Sequence, residues 1–176
     1  LAARQAEIAH FIAGADVRAG LAIDSSPEYF AALAGLDGVA AASPAYRTRA
    51  RWASEVSRQA TLLAVDPAGF AAAGRFPPDA GNLSMDAILP ALATPSAAGL
   101  PAVFSRDAFP QDKQVGDIVP YFVGSSRIDF EVRGLIPSFP SIDGPFLLTN
   151  LSMLEARLNT AQLGETLNSR REVWLE

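Results

Sequence analysis

Residues 115–140, VGDIVPYFVGSSRIDFEVRGLIPSFP, contain the strongest alternation of apolar and polar side chains in the sequence. Ile128, Phe130 and Val132 alternate with charged residues, so one face of an extended segment is apolar and the other is charged. A period of two residues indicates a half-buried strand. A second alternating segment, 119–123, precedes a Gly-Ser-Ser turn, and the two segments together are predicted to form a β-hairpin.

A strand-helix-strand pattern lies early in the chain. Residues 14–23 are predicted to form a strand and residues 39–52 a second extended segment. Between them, 25–38 has the signals of a helix, because Ser25 or Ser26 can cap it and Glu28 can close a capping box. The stripe predicted to be buried on this helix comprises Tyr29, Phe30, Leu33 and Leu36.

A second strand-helix-strand pattern lies at the other end of the sequence. Residues 144–150, GPFLLTN, are predicted to form a strand that leads directly into a helix. Leu151, Leu154 and Leu158 share one face of that helix because they are three or four residues apart. Residues 171–176, REVWLE, are predicted to close the pattern as a strand.

The remaining sequence predicts further elements with a loop-rich middle. The expected elements are a helix over 1–12, a short buried strand in 60–67 that stops at Asp-Pro, a helix broken by proline over 85–93, and a strand over 100–105. The segment RFPPDAGN is expected to be a loop. The uncharged run 87–105 contains three prolines, so it is not predicted to span a membrane.

These patterns together predict an α+β fold. The two strand-helix-strand units are expected to share one sheet with both helices on one side, in a split βαβ arrangement. Alanine is concentrated in residues 1–102, which is consistent with early helices and later strands. The predicted organisation is a βαβ lobe made of 1–75 and 145–176, with 76–144 inserted as a β-rich lobe.

Composition excludes several classes of function. The net charge is −5, so nucleic acid is not an expected partner. The absence of cysteine excludes thiol catalysis, disulfides and thiolate metal sites. His10 is the single histidine, so one chain cannot supply a site that needs two imidazoles.

No motif predicts catalysis, a metal or a cofactor. The nearest carboxylate pairs are Asp107 with Asp112 and Asp129 with Glu131, and the second pair is expected to be neutralised by arginines on the same strand face. The loop that starts at Asp79 lacks the later acidic residues of a calcium-binding loop. The chain is therefore expected not to be an enzyme, and a small hydrolase remains the weakest alternative.

Two sets of residues are candidates for binding a partner. Arg47, Arg49 and Arg51 line one face if their segment is a strand, where they could hold phosphate or an anionic headgroup. The alternative is an ion-paired or solvated outer face. Phe139 lies beside proline in a predicted loop and is a candidate exposed contact, with packing in the core as its alternative. Phe76 and Phe146 have the same two interpretations.

Several segments, taken in order, resemble one family of membrane proteins. The segments are GADVR, LDGVAAASP, LLAVDPAGFAAAGRF, the VGDIVPYF and FEVRGLIPSFP parts of the hairpin, PFLLTNLSMLEARL, and EVWL. Together they are similar to the large extracytoplasmic (MacB-like periplasmic core) domain of FtsX-like ABC transporter permeases. The similarity extends over most of the chain.

The resemblance implies a domain between two membrane helices, on the outer face of the bacterial cytoplasmic membrane. It implies a porter-like βαβ lobe with an inserted β-rich lobe, and no catalytic residues. The implied partners are the permease's own transmembrane helices, a second permease copy, a cytoplasmic ABC ATPase that acts indirectly, and a lipoprotein or cell-wall partner outside. The implied function is to couple ATP-driven movement to export or to that outer partner. A free-standing extracellular binding or adhesion module is the alternative.

Overall fold

The computed structural model describes residues 15–21, 27–55, 57–74, 84–161 and 171–176. Several predictions lie outside the described residues: the helix over 1–12 with His10, the caps at Ser25 and Ser26, and the loop RFPPDAGN with Phe76 and Asp79.

The described residues form eight strands and four helices. The strands are β1 (Val17–Gly20), β2 (Ala42–Trp52), β3 (Gln59–Val65), β4 (Leu100–Ser105), β5 (Ile118–Val123), β6 (Ser126–Ile136), β7 (Phe146–Asn150) and β8 (Arg171–Leu175). The helices are α1 (Pro27–Ala34), α2 (Pro67–Ala73), α3 (Met85–Ala93) and α4 (Leu151–Ala161). The predicted α+β class is confirmed.

All eight strands belong to one sheet, in the order β1-β8-β2-β3-β7-β4-β6-β5. An additional antiparallel pairing joins β2 to β5, where Ala50 faces Val123 and Trp52 faces Tyr121. This pairing closes six strands, β2-β3-β7-β4-β6-β5, into a ring. β8 and β1 extend the sheet beyond the ring from the first half of β2, because Ala42–Tyr46 pair with β8.

The two predicted strand-helix-strand units interlock within this sheet. β8 lies between β1 and β2 and runs antiparallel to both, so β1 and β2 are parallel to each other. The connection from β1 to β2 passes over β8 and contains α1. β7 and β8 are joined by α4 in the same way, across β3 and β2. Because such crossovers are right-handed, α1 and α4 lie on the same face of the sheet.

The predicted hairpin forms as β5 and β6, and its apolar face lies in the core inside the ring. Val119 pairs with Phe130 and Tyr121 with Ile128, and all four are buried. The three predicted leucines of α4 pack into the same cluster (Leu151, Leu154, Leu158). Burying a large apolar side chain stabilises the fold by about 1.5–3 kcal/mol, so this cluster is a main source of stability.

A second core covers the opposite face of the sheet, under α2 and α3. Phe70 of α2 packs against Trp174 of β8, with ring centroids 4.7 Å apart. Asp66 caps α2 by accepting a hydrogen bond from Gly69 N at 3.0 Å, and Pro67 occupies the first turn. We did not predict α2 from the sequence, although Asp-Pro is a helix-start signal as well as a strand stop.

The predicted stripe on α1 is wrong in part. Phe30 is buried and Leu33 is half-buried, whereas Tyr29 is 44% exposed and Leu36 is 55% exposed. Leu36 lies beyond the end of α1 at Ala34, and for Tyr29 helical spacing does not determine how much of its face another element covers.

The sheet is continuous across the predicted lobe boundaries near 75 and 145. β4 from the middle segment pairs with β7, and β5 pairs with β2. The division into two lobes stays a prediction, since the strands of both segments share hydrogen bonds throughout the ring.

Candidate functional site

The three candidate arginines lie on the outer face of β2, and the segment is a strand as the hypothesis required. Tyr46 and Ala50 point into the core of the ring, so Arg47, Arg49 and Arg51, at the alternate positions, point outward. Arg47 is half-buried, and the other two are exposed.

Arg47 is neutralised by its neighbours. Its Nε donates to Glu172 Oε1 at 2.5 Å, and its Nη2 donates to Glu172 Oε2 at 3.1 Å. The same guanidinium donates to Ser141, with Nη1 at 3.1 Å from the carbonyl oxygen and Nη2 at 2.9 Å from Oγ. Ser141 has φ of 67°, a conformation that L residues adopt rarely, so Arg47 holds a strained loop against β8. Its role is structural.

Arg49 and Arg51 remain available to a partner. Arg51 lies beside Phe122 of β5, with Cζ 5.9 Å from the ring centroid, and its Nη2 donates to Gly124 O at 3.4 Å. In the part of the chain that the structure describes, neither arginine forms an ion pair with a carboxylate. We call Arg49, Arg51 and Phe122 the arginine face.

Phe139 is not an exposed contact, because only 2% of its surface is accessible. Its ring centroid lies 6.1 Å from that of Phe70 and 6.1 Å from that of Phe146. Phe146 is buried as well. The alternative of packing in the core describes both residues, and the partner-contact interpretation does not fit them.

The candidate carboxylates do not converge. Asp129 pairs with Arg127 at 3.3 Å and Glu131 with Arg133 at 3.2 Å, as expected for a charged strand face. Asp107 and Asp112 are both exposed in the segment between β4 and β5. Among the described residues, no three acidic, histidine or cysteine side chains are placed to hold a metal ion.

Tyr121 is a buried titratable residue in the core of the ring. Burial in the ring raises its pKa to about 12, and the positive charge of Arg58 opposes part of that shift. The hydroxyl donates to the carbonyl oxygen of Ala108 at 2.8 Å. The phenol therefore stays neutral at physiological pH and anchors the segment that follows β4.

Two surface grooves lie beside the helices, each of about 350 Å³. The first, between α2 and α3, is apolar with Asp86 at its rim, and the second lies between α4 and the segment before β4. The first is lined by Pro67, Ala68, Ala71, Met85, Asp86, Leu89, Pro90 and Ala93. The second is lined by Pro95, Ser96, Gly99, Leu100, Pro101, Met153, Ala156, Arg157 and Thr160. Neither contains the converging polar groups of a reaction site.

Comparison with known proteins identifies the fold. No family model and no curated protein matches the sequence. The solved extracellular domain of the ABC-type transporter YknZ from Gram-positive bacteria is similar, with a TM-score of 0.50 and 18% identity over 91% of this chain and 83% of that one. A domain of a putative permease from Porphyromonas gingivalis has a TM-score of 0.43 and 17% identity, over 80% of this chain and 58% of that one.

The chain shares the fold of an extracellular transporter domain. This result rests on the YknZ domain, which matches nearly the whole chain. It confirms the α+β fold that the resemblance to FtsX-like permeases implied, while the division into two lobes stays a prediction. None of the described helices has the length and apolarity needed to cross a bilayer.

Proposed function

We propose that this chain is a non-catalytic extracytoplasmic domain of an FtsX/MacB-type ABC transporter permease. Its task is to transmit ATP-driven movement of transmembrane helices to an exported substrate or an outer partner. It lies on the outer face of the cytoplasmic membrane, where it works beside a second permease copy. The ATPase on the cytoplasmic side acts on it indirectly, through the membrane helices.

The observation that carries this proposal is the pairing of Val17 with Leu175. Val17 is the first residue of β1 and Leu175 the last residue of β8, and the two face each other in antiparallel register. Leu175 also pairs with Ala42, the first residue of β2. The start of β1 and the end of β8 therefore lie side by side. A domain held between two membrane helices needs its two connections to lie close together in this way.

The closed ring supports a mechanical role. β2 is paired with β3, β8 and β5, so it belongs both to the ring and to the edge of the sheet where β1 and β8 meet. Two cores fill the two faces of the sheet. Close-packed interiors are hard to compress, so displacement at the β1–β8 edge moves the ring as a rigid body.

The arrangement of charged groups supports the non-catalytic part of the proposal. The candidate carboxylates of the described residues are exposed or paired with arginines, and the buried phenol of Tyr121 donates to a backbone carbonyl. Catalytic sites instead gather perturbed titratable groups in a cleft.

The test uses the full-length protein that contains this chain. We expect membrane helices on both sides of it, and we expect an ABC ATPase subunit to co-purify with the protein. These 176 residues contain no cysteine, so, once any cysteine elsewhere in the full-length protein has been replaced, the double variant Val17→Cys/Leu175→Cys introduces a single disulfide between facing residues. The domain moves as one body, so the locked variant should retain ATP-driven transport.

Two results would contradict the proposal. Absence of membrane helices on either side would favour a free-standing binding module. Loss of transport on oxidation, restored by a reductant, would show that β1 and β8 must separate during the cycle.

A matched control pair is Val17→Cys/Val115→Cys. Val115 lies before β5, at the opposite end of the strands, so no disulfide should form.

A further inference from the structure

We propose that the arginine face, Arg49 and Arg51 with Phe122, is a docking surface for an extended acidic segment of a partner protein. The choice of a protein partner rests on the proposed function. The binding surface itself stands on the geometry of β2 and β5.

The spacing of the two arginines matches that of alternate side chains in an extended peptide. Side chains two residues apart on a strand are separated by about 6.6–6.8 Å. Carboxylates at alternate positions of an extended segment recur at the same interval. Each guanidinium can then receive one carboxylate through two parallel hydrogen bonds, the strongest geometry for such a pair.

The neighbouring residues hold Arg51 in place within the arginine face. Arg51 faces Phe122 across the β2–β5 pairing, and Phe122 faces Arg127 on β6. Contact with the half-buried Phe122 ring and with Gly124 O limits the conformations of the Arg51 side chain before any ligand binds. A preordered side chain loses less conformational entropy on binding.

The local charge is opposite in sign to that of the whole chain. The net charge is −5, yet Arg49 and Arg51 present two positive charges with no carboxylate partner among the described residues. Arg47 does not contribute, because Glu172 neutralises it. A localised positive face on an acidic domain steers acidic partners toward one orientation.

The position of the arginine face favours a protein over a lipid headgroup. Ala42, at the start of β2, lies at the β1–β8 edge, and Arg51 is nine residues further along the same strand. Nine residues of a strand extend over roughly 30 Å. If the membrane helices join at that edge, Arg51 lies too far away to contact the lipid headgroups. An acidic protein segment is therefore a better ligand for this face than a headgroup phosphate.

The test measures binding of a labelled peptide with glutamate alternating with threonine, by fluorescence anisotropy at low salt, to the full 176-residue chain. We expect Arg49→Ser/Arg51→Ser to weaken binding about tenfold, because two charge-assisted pairs are lost. The matched control is Arg106→Ser/Arg157→Ser, which removes two exposed arginines elsewhere and should leave binding within about twofold. Circular dichroism confirms that both variants fold.

A second peptide and two other ligands separate the alternatives. A peptide of the same composition with its glutamates contiguous should bind more weakly, and equal binding would overturn the proposed spacing. Equal losses in the two double variants would show that net charge alone is responsible. Tighter binding of inorganic phosphate or of phosphatidylglycerol vesicles would overturn the choice of a protein segment.

Failure of this inference is distinguishable from failure of the proposed function. Peptide binding is measured on the chain by itself, without an ATPase or a membrane. If the peptide does not bind and the ATPase co-purifies, only the docking surface is refuted. If the peptide binds and no ATPase co-purifies, only the transporter role is refuted.

Discussion

Arg47 of β2 and Glu172 of β8 form a two-point ion pair, although 125 positions separate them in the sequence. Their side chains are 21% and 15% exposed, so the pair is mostly shielded from water. The same arginine also binds Ser141, and it thereby joins the ring, the β8 edge and the segment that leads into β7.

We expect Arg47 and Glu172 to show a measurable coupling free energy when unfolding is compared between single and double variants. Arg47→Ser or Glu172→Gln alone should lower the free energy of unfolding by roughly 2 kcal/mol, because each leaves a shielded charge without its partner. A double-mutant cycle in urea should give a coupling of about 1 kcal/mol. The exposed pair Arg127–Asp129 is the control and should give at most about 0.5 kcal/mol. Equal coupling in the two cycles would contradict the structural role of Arg47.

Stability should fall at alkaline pH because of Tyr121. Its pKa is about 12 in the folded chain against 10.0 for an ordinary tyrosine, so the fold favours the neutral phenol. This preference contributes roughly 3 kcal/mol to the free energy of unfolding. The contribution is fully present below pH 10 and is lost as the pH rises through about 12.

The measurement is urea unfolding as a function of pH. Tyr121→Phe should remove this alkaline loss, at a cost of about 1 kcal/mol near neutral pH because the carbonyl of Ala108 loses its hydrogen bond. Tyr29→Phe, at an exposed ring, should leave the alkaline loss in place. An unchanged pH profile in Tyr121→Phe would assign the loss to other groups.

Two N-cap residues should differ in their effect on stability. Asp66 accepts a hydrogen bond from Gly69 N at the start of α2, whereas the side chain of Ser84, at the start of α3, makes no capping bond. Asp66→Ala should therefore cost about 1 kcal/mol, and Ser84→Ala only a few tenths. Chemical unfolding monitored by circular dichroism checks both, and equal costs would contradict the capping assignment.

Gly99 is required for close packing of the chain against β6. A Cβ at this position would lie 2.8 Å from Asp129 O and 3.1 Å from Glu131 N, both backbone atoms that cannot rotate away. Gly99→Ala should destabilise the fold by roughly 2 kcal/mol. Gly20→Ala in β1 is the matched control, since nothing lies within 4 Å of the added atom. A smaller loss of unfolding free energy in Gly99→Ala than in Gly20→Ala would show that the backbone of β6 can move to accommodate the added methyl group.

The sequence predicted the local elements well. Ile128, Phe130 and Val132 alternate with charges because one face of β6 is buried inside the ring and the other is not, and the pattern alone indicated this. The helix 85–93 was also predicted within its observed bounds, but the predicted break is wrong, because the helix continues through Pro90. Such patterns arise from the geometry of one element, so they can be recognised without knowledge of its neighbours.

The errors concern surfaces whose burial depends on distant segments. Tyr29 and Leu36 have the spacing of a buried stripe and are exposed, while Phe139 occupies a loop and is buried against Phe70 and Phe146. In the same way, three arginines with identical spacing on β2 have different roles. Glu172 neutralises the first, and no pattern near residue 47 indicates that partner.

Periodicity and capping are local properties, so the eight strands and the helices α1, α3 and α4 could be located in the sequence, whereas α2 and the exposed part of the α1 stripe could not. The pairing of β2 with β5 that closes the ring, and the pairing of Val17 with Leu175, become visible only in the folded chain. Strand pairing depends on hydrogen-bond register between segments far apart in the chain, and side-chain alternation does not encode the identity of the neighbouring strand. The arginine face exists for the same reason, since closure of the ring brings Phe122 beside Arg51.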